Sequence, residues 1–184
     1  MVLAFSAAVN LQAQVRYGNC KSSTTYDRFY ITPYGGIGFA KFSADSLADK
    51  ESRFTYFGGL TAVYGFDKFR IGIGARFQPY TKNDDYGAYI KPYVAMEIPL
   101  YFDEFADFGI TANAGALFPT GSSIPQSGYF FDIGLYYNLV ITSTSGLFFG
   151  TNYSYNSINI NPNSNSIKLN VSEFDLIIGY RMWF

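Results

Sequence analysis

The chain has 184 residues, enough for one domain with a substantial core, and its net charge of −1 suggests neither nucleic acid nor an anionic surface as a partner. It contains no histidine, which excludes serine–histidine triads and HExxH zinc sites, and its single cysteine excludes an internal disulfide. Aromatic residues make up 20% and charged residues only 15%, with no run of about 20 apolar residues to form a spanning helix.

The N-terminal stretch from Val2 to Leu11 is small and apolar, the length of a signal-peptide core, with Ala13 before a cleavage point. Residues 1–14 therefore read as a signal peptide. It lacks a basic first region, which places the true start upstream or marks a shortened chain. Residues 15–27 read as a short N-terminal segment, in which Cys20 is a free thiol.

From residue 28 the chain alternates with a period of two, the signal of strands. Ile31, Pro33, Gly35, Ile37 and Phe39 share a face opposite Thr32, Tyr34, Gly36 and Gly38. Phe54, Tyr56, Gly58, Leu60, Ala62 and Tyr64 oppose Thr55, Phe57, Gly59 and Thr61. The third segment is the clearest: Phe69, Ile71, Ile73, Ala75 and Phe77 alternate with Arg70, Gly72, Gly74, Arg76 and Gln78. A fourth sets Ile90 to Leu100 against Tyr89, Lys91, Tyr93, Ala95 and Glu97. The fifth and sixth run from Phe108 to Phe118 and from Phe131 to Ile141, the latter with Asp132 on the second face. The seventh covers Leu147 to Tyr155 and the eighth Glu173 to Phe184.

Connections alternate between short turns ("GFDK", "FDEFAD", "TSTSG") and longer polar loops ("SADSLADKESR", "YTKNDDYG", "PTGSSIPQSG", "NSININPNSNSIK"). An even strand number with this asymmetry is the layout of an outer-membrane barrel. The expected fold is all-β, one eight-stranded antiparallel up-and-down transmembrane β-barrel over residues 28–184. The apolar face is bulky and uncharged, whereas the charged face is rich in glycine, including Gly36, Gly72, Gly74 and Gly134. Eight strands enclose only enough room for side chains, so the glycine-rich face goes inside and the bulky face meets lipid. Aromatics at strand ends, among them Phe66, Phe69, Trp183 and Phe184 at the short-turn side, read as interfacial girdles.

The chain here resembles the small eight-stranded outer-membrane barrels, the group of the OmpA transmembrane domain and OmpX. The resemblance lies in the strand pattern and the terminus, not in a detailed motif. It implies that Ile178, Tyr180, Met182 and Phe184 form the terminal signal read by the barrel-assembly machinery. It also implies the outer membrane of a Gram-negative bacterium, with outer-membrane lipid as the surroundings and a monomeric state.

The inward face carries Arg70, Arg76, Lys91 and Arg181 against Glu97, Asp132, Glu173 and Asp175, four of each sign. Threading puts Arg76, Lys91, Asp132, Glu173 and Asp175 toward the long loops, and Arg70, Glu97 and Arg181 toward the short turns. Ion pairs and trapped water are expected, because lone charges are too costly in so narrow a space. The expected role is a structural or surface-interaction protein with a polar plugged interior and four surface loops. The loops bear Asp45, Asp49, Lys50, Glu51 and Arg53 in the first and Lys82, Asp84 and Asp85 in the second, open to an unknown surface ligand. The same interior would also suit a narrow gated ion or small-solute pore. A soluble lipocalin-type lipid-binding barrel would need the apolar face inward. No catalytic, cofactor or metal site is expected.

Overall fold

The computed structural model describes residues 28–44, 51–66, 68–79, 88–120, 126–160 and 167–184. The proposed signal peptide, the segment with Cys20 and most loop charges lie outside these residues. Eight strands follow in order: β1 (Phe29–Ala44), β2 (Glu51–Phe66), β3 (Phe69–Pro79), β4 (Ala88–Phe102), β5 (Ala106–Thr120), β6 (Gln126–Thr142), β7 (Ser145–Ile160) and β8 (Ile167–Trp183). Each pairs antiparallel with its chain neighbour, and β8 closes on β1, for example through Phe39 opposite Phe174. The sheet is a closed barrel with no free edge.

The wall is inverted relative to a soluble protein. Outward positions are large and apolar: Ile73 is 68% exposed, Ile178 57% and Phe39 62%. Inward, Arg70, Lys91, Asp175 and Glu173 are wholly buried. This excludes the lipocalin-type alternative, whose apolar face must line the interior. On β8 the outward series from Phe174 to Phe184 spans roughly 34 Å along the strand, or about 26 Å along the membrane normal at a tilt near 40°. That matches the apolar band of about 25 Å on such barrels.

Glycine makes the crowded interior possible. A β-carbon on Gly74 would collide with the Tyr93 ring, and one on Gly36 with the Phe57 ring. These two inward rings thus lie over a bare neighbouring strand, so the small lumen is filled without spreading the strands.

The strands extend beyond the sequence expectation at the long-loop end. β1 runs to Ala44, β7 to Ile160, and β8 begins at Ile167, in segments expected as loops. Cross-strand pairing continues there, as in Ile158 opposite Leu169, and overrides the turn-forming composition. At the other end, Asp103 anchors the turn between β4 and β5. Its carboxylate accepts hydrogen bonds from the Tyr101 hydroxyl (2.5 Å) and from the backbone N–H groups of Phe105 and Ala106 (both 2.7 Å). Desolvation acts to raise its pKa, but these three donors outweigh it and hold the carboxyl below its ordinary range.

Candidate functional site

The lumen is stratified. Near the short turns, Arg70 on β3, Glu97 on β4 and Arg181 on β8 meet. Arg181 donates from both terminal nitrogens to Glu97, at 2.6 and 3.0 Å, and its Nε donates to Thr32 at 3.0 Å. Arg70 lies 3.2 Å from Glu97 and 2.6 Å from Asp107. Tyr136 donates to Asp107 at 3.0 Å. Both guanidinium groups also cover aromatic rings, Arg70 over Tyr30 at 4.4 Å and Arg181 over Phe148 at 4.5 Å.

Asp107 was not expected here. The sequence expectation began the fifth strand at Phe108 and left "FDEFAD" as a turn. The structure starts β5 at Ala106, so Asp107 shares the inward parity of Gly109 and Thr111. Among the described residues the buried charges are therefore Arg70, Arg76, Lys91 and Arg181 against Glu97, Asp107, Asp132, Glu173 and Asp175, four basic and five acidic. The expected balance of four and four is corrected accordingly.

Toward the long loops lies a second ionic layer. Arg76 donates to Asp175 at 2.8 Å and stands 3.7 Å from Asp132, its guanidinium 4.4 Å over the Phe57 ring. Lys91 donates to Asn156 at 2.9 Å and lies 3.8 Å from Glu173. Glu173 accepts from Thr55 at 2.7 Å and from Gln78, and Asp132 accepts from Asn113 at 2.6 Å. The eight charges named from the sequence thus fall into two groups, Arg70–Glu97–Arg181 and Arg76–Lys91–Asp132–Glu173–Asp175.

Between the layers runs a neutral zone. The Tyr93 hydroxyl bonds Tyr34 at 2.8 Å and Thr61 at 2.6 Å. Beside it lies a cavity of about 30 Å³, lined by Arg76, Glu97, Arg181, Asn113 and Asn152 among others. It is large enough for about two water molecules and too small for a solute.

The interior is not polar from end to end. Above the outer ionic layer, Phe42, Leu117, Ile158, Leu169 and Val171 point inward and are all buried. Below the inner layer, Tyr30 and Trp183 pack with ring centres 6.3 Å apart, and the Trp183 indole donates to the Ser143 carbonyl at 2.8 Å. Trp183 is thus a lumen residue, 6% exposed, and not part of the girdle in which the sequence placed it. Apolar and aromatic residues close both ends of the charged region.

On the outside of β8, Ile178, Tyr180 and Phe184 are exposed and Met182 is half-buried. Phe184 is fixed by its backbone N–H, which donates to the Phe29 carbonyl at 3.0 Å. Among the described residues, no group of three His, Cys, Asp or Glu side chains is placed to hold a metal ion.

No protein-family model and no curated protein sequence matches the chain. Solved structures do. Neisserial surface protein A aligns with a TM-score of 0.64 and 16% identity, covering 85% of this chain and 97% of its own. The outer membrane protein OprG from Pseudomonas aeruginosa aligns at 0.52 and 15%, covering 86% of this chain and 96% of its own. Ail, the attachment invasion locus protein of Yersinia pestis, aligns at 0.43 and 13%, covering 85% of this chain and 99% of its own. At these identities the likeness speaks for the fold. The chain thus has the fold of the small eight-stranded outer-membrane β-barrels, with its apolar side outward.

Proposed function

We propose that the barrel is a non-conducting anchor that presents its four long-side loops at the cell surface for interaction. One observation carries this reading: the two ionic layers lie between an apolar group at one end and an aromatic group at the other, with their charged side chains buried. A hydrated ion would have to displace Phe42, Leu117, Val171 or the Tyr30–Trp183 pair and then separate paired charges. Recordings in planar bilayers should show no steady openings from the refolded wild type. Steady conductance that disappears in Arg76→Ala or Glu173→Ala would overturn the anchor in favour of a pore.

The anchor is non-catalytic on this reading, because no histidine is present to activate a nucleophile at neutral pH. Its interaction partners would meet the outer mouth, where Arg53, expected in the first loop but placed in β2, stands 5.4 Å over the Phe42 ring. The outward series Ile178, Tyr180, Met182 and Phe184 would serve as the signal for assembly in the outer membrane. Phe184→Ser should lower the amount inserted in cells while leaving refolding into micelles intact. Equal insertion of the variant and the wild type would contradict that role.

A further inference from the structure

A lysine, an asparagine and a glutamate from three strands meet in the outer ionic layer. Lys91 on β4 extends to β7, which is not its neighbour in the sheet, and its Nζ donates to Oδ1 of Asn156 at 2.9 Å. Glu173 on β8 stands 3.8 Å from the same Nζ through Oε2. All three side chains are fully buried, and among the described residues no other lysine is. A carbonyl bond of about 1.23 Å puts Cγ of Asn156 within about 4.1 Å of Nζ, close to the separation of about 3–3.5 Å from which a bond can form.

The neighbours hold each group in the pose that an amide exchange requires. Asn156 Nδ2 donates to the Val171 carbonyl at 3.2 Å, which turns the amide oxygen toward the lysine. Val171 pairs with Asn156 across β7 and β8, and Glu173 is the next inward residue of β8. The other oxygen of Glu173 accepts from Thr55 at 2.7 Å and from Gln78, so Oε2 stays on the side of Nζ. The Phe130 ring centre lies 5.5 Å from Nζ, and Leu117, Ile158 and Val171 are buried above the layer. Apolar walls strip an amine of the water that would solvate it, the condition under which lysine acts as a nucleophile.

We propose that Lys91 and Asn156 form an intramolecular isopeptide bond, with Glu173 as the proton acceptor. Glu173 takes one proton from the ammonium, and Nζ attacks Cγ of Asn156. The Cγ–Nδ2 bond breaks, a second proton passes from Nζ to Nδ2, and the nitrogen leaves as ammonia. No oxidant or cofactor is consumed. An ion pair is replaced by a neutral amide beside a protonated Glu173, so the layer loses one charge of each sign. The bond ties β4 to β7 through the lumen. It goes beyond the anchor reading, since it does not depend on what surrounds the outer wall.

The test is mass spectrometry of the full chain refolded in micelles, first intact and then after digestion. The wild type should be lighter than the Lys91→Met chain, corrected for the substitution, by about 17 Da, the mass of ammonia. Its digest should contain a branched peptide that joins Lys91 to Asn156. Lys91→Met and Glu173→Gln should each keep the ammonia and give no branched peptide. Lys41→Gln, exposed on the outer wall, should behave as the wild type does. A heat-dependent gel shift on each sample shows which chains have folded, and the wild-type digest decides alone where a lumen variant has not. Separate Lys91 and Asn156 peptides from the folded wild type, or an ammonia loss carried by an unbranched peptide, would overturn the proposal. A branched peptide that persists in folded Glu173→Gln would overturn the part given to Glu173.

Discussion

Glu97 holds two guanidinium groups at once, accepting both terminal nitrogens of Arg181 and one of Arg70. Burial of ions is unfavourable in itself, so the arrangement matters more for what its loss would leave behind. In Glu97→Ala two buried cations would share Asp107 alone. The substitution should cost about 3–5 kcal/mol, read from urea unfolding in micelles. Replacing Glu97 and Arg181 together by Met should cost less than the two single changes added, because each removes the other's unpaired partner. Strictly additive losses would show that the two side chains do not act as a pair. The charges themselves were legible in the sequence, since a period of two assigns every strand residue to a face. Their partners were not, because Arg76 and Asp175 come from β3 and β8 and only closure of the sheet brings them together.

At the scale of the strand, legibility followed hydrophobic alternation and failed where alternation weakened. β3 carries alternation from Phe69 to Phe77, and the structure keeps nearly those limits. The start of β5 and the loop-side ends of β7 and β8 are rich in Asp, Asn and Ser and read as turns. Their pairing with neighbouring strands makes them wall instead. Asp107, Ile158, Leu169 and Val171 were lost to the lumen inventory for that reason. The lipid-facing side of a strand is also testable by depth. Ile73→Arg, midway along β3, should destabilise the barrel by about 2–4 kcal/mol in lipid vesicles, whereas Ser172→Arg near the rim should cost about 0–1 kcal/mol. A cost for Ile73→Arg no larger than that for Ser172→Arg would place that face in water.

For the whole molecule, the decisive property is the inverted wall: bulky apolar residues outside, charges and glycine inside. Composition pointed to it, because few charges and many aromatics suit a β protein whose surface is not wholly in water. The closed sheet supplies the reason it is stable in lipid, since every strand finds a partner on both sides. What composition did not show is the layering within, where apolar and aromatic groups seal two ionic levels from both ends. The central claim is that the outer wall needs lipid, and the direct measurement is refolding with and without detergent micelles. It would be followed by far-UV circular dichroism and by gel mobility of boiled and unboiled samples. A β spectrum that forms only in micelles, with a heat-dependent mobility shift, is the predicted result. A soluble, monomeric β protein in the absence of detergent would contradict it.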